Sequence, residues 1–165
     1  MIVGAALAWL VSWGVLQASE AVVRRVIDGD TVQLSDGRLV RYLGIDTPEV
    51  RRREGMRWVE DPEPMGLEAT AFNRRLVEGK RVRLEYDVQT HDRFRRDLAY
   101  VYVSAPGGAE LLVNAELVRA GFAQPLTIPP NVKYAAQFRL LAEEARRERR
   151  GLWGLSARAV RAEKP

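Results

Sequence analysis

Two short acidic turns and a scatter of arginines are the residues of this chain that could do chemistry. Asp28 and Asp30, in "VIDGDTVQL", are two residues apart, so an extended backbone aims both carboxylates to one side. Asp46 and Glu49, in "VRYLGIDTPEV", flank Pro48, whose ring fixes φ and biases Thr47 toward an extended conformation. Carboxylates converging from two turns would make a hard-oxygen site that favours Ca²⁺ or Mg²⁺ over zinc or copper. Each turn alone is more often a turn than a metal site. Arg41, five residues before Asp46, and Arg93, Arg95 and Arg96 on a second connection change that balance. Guanidinium groups bind phosphate oxygens bidentately and stabilise the charge that grows in a five-coordinate transition state. Carboxylates alone suggest a cation site and arginines alone a binding surface. Together they suggest phosphodiester hydrolysis.

Composition bounds the alternatives. The 165 residues fit one domain with a single core. The absence of cysteine removes disulfides, thiolate metal sites and cysteine nucleophiles, and a single histidine, His91, disfavours histidine-pair metal sites. A formal net charge of +4 is a modest bias toward polyanions. Much of it sits between Lys133 and Lys164, where nine Lys and Arg meet four Glu, a pattern read first as a solvated helix face. Residues 1–19 carry no charged side chain and are mostly apolar, which reads as an export signal, with a retained membrane anchor over residues 2–18 as the alternative. The folded domain is expected over 20–156, followed by a tail at 157–165.

The elements that would position the chemistry are short. Asp-Gly signals at 28–29 and 36–37 separate β-rich runs, giving strands near 22–27, 31–34 and 38–45. "EVRRREGMRWVEDPEP" lacks periodicity and reads as a long exposed loop. A helix follows from Pro64, with Leu67, Phe72, Leu76 and Val77 on one face and Gly79 at its end. "RVRLEYDV" and "LAYVYV" read as strands joined by an arginine-rich connection. A short helix ending at Gly121 comes next, then a long one starting at an Asn131 N-cap and ending at Gly151. Five short strands with a helix after the third suggest an α+β arrangement, a five-stranded barrel of the OB type with three helices.

"VIDGDTVQL", "VRYLGIDTPEV", "DRFRRDLAYVYV", "LVNAELVRAGFA" and "RRGLWG", in that order, resemble the staphylococcal nuclease (thermonuclease) family. The resemblance implies an OB-fold nuclease that cuts DNA and RNA with Ca²⁺, acting on single strands and loosened duplex and leaving 3′-phosphates; a monomer is the default for one small domain. The resemblance also implies that Asp30, Asp46 and the backbone carbonyl of Thr47 hold the metal. Asp28 would stand nearby without ligating. Arg41 and Arg96 would be the catalytic arginines and Glu49 the acid assigned as general base. Arg93 and Phe94 fall where substrate binds. Phe94 stands where the family often has tyrosine, Arg95 replaces a glycine, and "PLTIPP" lacks the base-stacking tyrosine of the nuclease that names the family. A non-catalytic nucleic-acid-binding barrel is the competing reading.

Overall fold

The computed structural model describes residues 18–105 and 107–155; the apolar segment before Ala18 and the tail after Leu155 lie outside them. Ten strands and three helices follow one another along the described chain. The barrel uses five of the strands: β1 (Ala18–Asp28), β2 (Thr31–Leu34), β3 (Leu39–Tyr42), β7 (Arg81–His91) and β8 (Asp97–Ser104). Antiparallel pairs run β3-β2-β1-β7-β8, and a parallel β3–β8 pairing closes the ring. β9 (Glu110–Leu112) extends β8 outside the closed ring. The OB-like barrel with three helices read from the sequence is therefore the fold.

Alternation explains the barrel strands. Val32, Leu34, Val40, Val82, Leu84 and Val103 are buried, with half-buried or exposed residues such as Gln33, Leu39, Arg41, Arg83 and Tyr102 alternating beside them. The middle of β8 is buried on both faces, at Ala99, Tyr100 and Val101. Three helices cover what the ring leaves open: α1 (Gly66–Val77), α2 (Val113–Arg119) and α3 (Ala135–Arg147). Phe138 of α3 is fully buried, and Tyr100, Tyr134 and Phe138 meet with ring centroids 4.6–6.3 Å apart. The exposed face of α3 carries Arg139, Arg146 and Arg147, the solvated face its charge pattern predicted.

Three local expectations need correction. The run expected as one strand over 38–45 breaks after Tyr42 and resumes as β4 (Ile45–Asp46), because Gly44 takes a left-handed φ of 77°. β4 then pairs with β10 (Gln124–Pro125) instead of with a barrel strand. The stretch read as a long loop is a two-stranded hairpin, β5 (Arg51–Glu54) and β6 (Arg57–Glu60), turned by Gly55. With no apolar face against the core it has no period-2 hydrophobic signal, which is why its pattern reads as loop. Asn131 caps no helix. It is buried, donating its side-chain N–H to Gln89 O and accepting from Gln89 N–H, both at 2.8 Å, and α3 starts after Tyr134.

Candidate active site

The turn between β1 and β2 delivers Asp30 into the interior, where it is 4 % exposed. Its Oδ2 accepts from the Thr47 N–H at 2.9 Å and the Thr47 hydroxyl at 3.0 Å, and Oδ1 accepts from the Thr31 hydroxyl at 3.1 Å. The two acidic turns thus interlock through one carboxylate. Gly29 permits this closeness: a Cβ there would stand 2.6 Å from Thr47 Oγ1. Gly66, the first residue of α1, does the same for the second turn, since a Cβ would stand 2.8 Å from the Glu49 carbonyl oxygen. Buried Asn73 of α1 ties the corner to the helix, accepting from the Tyr42 hydroxyl at 3.0 Å and donating to Asp28 O at 3.4 Å.

Arg41 of β3 joins both aspartates. Its Nη1 lies 2.8 Å from Asp30 Oδ2 and its Nη2 2.6 Å from Asp46 Oδ1, and Nη1 also donates to Ile45 O at 3.0 Å. Asp46 is the outer member, with a side chain 54 % exposed. Burial pushes the Asp30 carboxyl up to about 7 despite the pull of Arg41, and neighbouring Asp28 pushes it the same way. Glu49 is also raised, by partial burial first and then by Asp28, with Asp46 and Glu63 adding to it and Arg41 opposing. Burial is thus the main reason that both carboxyls are raised, and Arg41 offsets it only in part.

Arg96 arrives from the connection between β7 and β8. Asp92 sets that turn by accepting from the backbone N–H groups of Phe94 at 2.8 Å and Arg96 at 3.0 Å, and from Arg96 Nε at 2.7 Å. Burial would raise the Asp92 carboxyl, but these donors outweigh it and hold it below the usual range. Arg95 occupies a left-handed φ of 63°, so it keeps the backbone shape that a glycine would adopt without strain. The closing β3–β8 pair sets Arg41 opposite Leu98, two residues after Arg96. Chain closure itself brings the two arginines together.

Two cavities meet at that pair. One, of about 320 Å³, is lined by Asp28, Asp30, Arg41, Glu49, Arg51, Trp58 and Arg96 among others. The other, of about 520 Å³, also includes Arg41 and Arg96, together with Arg93, Phe94, Leu126 and Ile128. Asp30, Arg41, Glu49 and Arg96 therefore share one cavity, while Arg93 and Phe94 line its neighbour. Phe94 is 64 % exposed, with the guanidinium carbon of Arg93 4.7 Å and that of Arg96 5.6 Å from its ring centre. Asp46 and Thr47 lie on the outer side of the Arg41 bridge, facing a third hollow. Arg51 and Trp58, at the two ends of the charged "RRREGMRW" stretch, also line the first cavity, brought there by the β5–β6 hairpin.

The donor set fits a hard cation. Asp30 and Asp46, both in contact with Arg41, carry hard oxygen donors of the kind that Ca²⁺ or Mg²⁺ takes. Among the described residues no three carboxylate or imidazole groups gather at one point.

The comparisons with known proteins agree with this geometry. Residues 39–154 match the family described as staphylococcal nuclease homologue. The chain belongs to that family. It is 36 % identical over 135 residues to a thermonuclease of Staphylococcus intermedius, covering 80 % of this chain and 74 % of the relative. A thermonuclease of Staphylococcus hyicus is 35 % identical over 147 residues, covering 86 % and 81 % respectively. The endonuclease YncB of Bacillus subtilis is 35 % identical over 136 residues, 80 % of this chain and 60 % of the relative. The family's match begins at Leu39, so the Asp28–Asp30 turn stands before it and is recognised through the longer pairwise similarities and its own chemistry.

Proposed function

We propose that the protein is a calcium-dependent nuclease that hydrolyses phosphodiester bonds of DNA and RNA, favouring single strands and loosened duplex and leaving 3′-phosphate and 5′-hydroxyl ends. The observation that carries this reading is the convergence of Arg41, Arg96, Glu49 and Asp30 on one cavity, with Arg41 in contact with both Asp30 and Asp46.

Asp30, Asp46 and the Thr47 carbonyl would hold the cation. When bound, it neutralises charge at the scissile phosphate and lowers the cost of bringing an anion to this acidic corner. Arg41 and Arg96, entering from different strands, donate to the non-bridging phosphate oxygens; each such donor is worth about 3 kcal/mol of transition-state stabilisation. Glu49 stands opposite them as acceptor for a water proton. Its raised pKa strengthens it as a base. Complete transfer from free water to an ordinary glutamate would still be uphill by about 15 kcal/mol. The proton therefore moves as attack proceeds: oxygen bonds to phosphorus, the P–O5′ bond breaks, and the departing oxygen takes up a proton. The neighbouring apolar cavity receives the nucleoside, with Phe94 as its exposed ring and Leu126 and Ile128 as its wall.

The test is digestion of single-stranded DNA by the purified full chain with calcium and then with a chelator. Calcium-dependent degradation well above that of the Arg41→Ala, Glu49→Ala double variant is expected. Salt-sensitive binding without turnover in any divalent metal would replace this reading with the non-catalytic barrel. Export and a monomeric state complete the proposal; mass spectrometry of the mature N-terminus and sedimentation check them.

A further inference from the structure

The β5–β6 hairpin has two unlike faces. Its register sets Arg51 opposite Glu60, Arg52 opposite Val59, Arg53 opposite Trp58 and Glu54 opposite Arg57. Alternation therefore places Arg51, Arg53, Trp58 and Glu60 on one face and Arg52, Glu54, Arg57 and Val59 on the other. On the second face Arg52 is neutralised, meeting Glu54 at 2.6 Å and also Asp61. On the first face neither Arg51 nor Arg53 pairs with a carboxylate among the described residues. Arg51 Nη2 makes one long bond, 3.4 Å to Ile27 O, and Arg53 Nε bonds only Gly55 O at its own turn.

That first face opens on the catalytic cavity, where Arg51 and Trp58 both line the wall beside Asp28, Glu49 and Arg96. Trp58 is 68 % exposed and takes no part in the core. One residue, Val50, separates Arg51 from Glu49. The base of the hairpin is fastened to the same corner by Asp61 N–H to Val50 O at 3.1 Å and Glu63 N–H to Glu49 O at 2.9 Å. The hairpin is thus fixed at the edge of the site, presenting two uncompensated cations and an unsheltered indole.

We propose that this face is a second binding element for single-stranded nucleic acid. Trp58 stacks on a base and Arg51 binds a backbone phosphate, in nucleotides beyond the one seated in the Phe94 cavity. The assignment rests on the nuclease reading for its choice of ligand. Stacking on an aromatic ring is indifferent to sequence, since every base has a π-face, and a guanidinium beside it supplies the backbone contact. The scissile phosphate would then be held between two stacking surfaces, Phe94 on one side of the arginine pair and Trp58 on the other.

Binding of a fluorescently labelled ten-residue thymidylate to the full chain, by anisotropy in chelator so that nothing is cut, tests this directly. Trp58→Ala and Arg51→Ala are each expected to weaken binding about tenfold. Trp58→Phe should restore most of the affinity, and Arg52→Ala, whose guanidinium is already paired with Glu54 and Asp61, should bind as the parent does. Arg51→Ala should also lower the slope of log affinity against log salt by about 0.7, whereas Trp58→Ala should leave it in place. The assignment falls if the oligonucleotide does not bind, if Trp58→Ala binds as tightly as the parent, or if Arg52→Ala loses as much as Arg51→Ala. Binding that follows the expected pattern without calcium-dependent cleavage would uphold the hairpin and refute the nuclease reading.

Discussion

The two segments that supply the arginines are built on opposite plans. Arg41 grows from a buried strand into a corner where Asp30 is 4 % and Thr47 6 % exposed, and at least three elements constrain it. Arg96 leaves a surface turn whose shape depends on one carboxylate, Asp92, and on a strained Arg95. Packing from several elements fixes Arg41, whereas Arg96 is set by hydrogen bonds within its own turn.

The largest test of this contrast removes each arginine separately. Arg41→Ala and Arg96→Ala should both lower kcat on single-stranded DNA by about 10²–10³-fold. Arg41→Ala should also destabilise the fold by about 3 kcal/mol, more than Arg96→Ala does, because it strands the buried Asp30 carboxylate rather than the part-buried Asp92. Thermal melts beside the kinetics would show the difference, and equal melting temperatures would dissolve the contrast. Next, Gly29→Ala or Gly66→Ala should cost about 1–3 kcal/mol by overpacking the corner, with a fall in kcat, since the added Cβ meets Thr47 or the Glu49 backbone.

Smaller effects separate the two carboxylates by sign. Asp30 is raised from 3.8 to about 7, so folding favours its protonated form, and the metal-free protein should lose stability as pH rises through that window. Asp30→Asn should be the more stable form at pH 8 in chelator, and should no longer gain stability from added calcium. Asp92 is lowered, so its contribution is present above the ordinary carboxylate range and is lost as pH falls below it. Asp92→Asn should therefore cost stability at neutral pH, by about 1 kcal/mol as for a lost cap. Denaturant melts across pH would settle both. The smallest change, Arg95→Gly, should stabilise the turn by about 0.5–1 kcal/mol through relief of its left-handed backbone.

Much of the barrel was legible because its strands alternate and its turns carry Asp-Gly, and the acidic corner because Pro48 stiffens a pair of carboxylates. Elements lacking a periodic apolar face were harder to see. β5 and β6 touch water on both sides, so the hairpin that presents Arg51 and Trp58 had no pattern to betray it. β4, β9 and β10 are two or three residues long, too short for any periodicity. Asn73 and Asn114 were silent for another reason. Both are fully buried and tie distant segments together, Asn73 joining the Tyr42 hydroxyl to Asp28 O and Asn114 donating to Leu43 O and accepting from Val101 N–H, the latter two at 2.9 Å. An amide in a helix gives no sign in sequence of which distant carbonyl it will meet. Arg95 was seen as a departure from glycine, but that the turn would tolerate it depends on Asp92 bonding across it.

The cutting machinery exists only while the parallel seam between β3 and β8 is shut. Until residues 40–42 lie along 97–99, the two guanidiniums sit at opposite edges of an open sheet and no phosphate can feel both. A nascent, stretched or heat-opened chain is consequently harmless to nucleic acid around it, and potency should return all at once when the cylinder shuts.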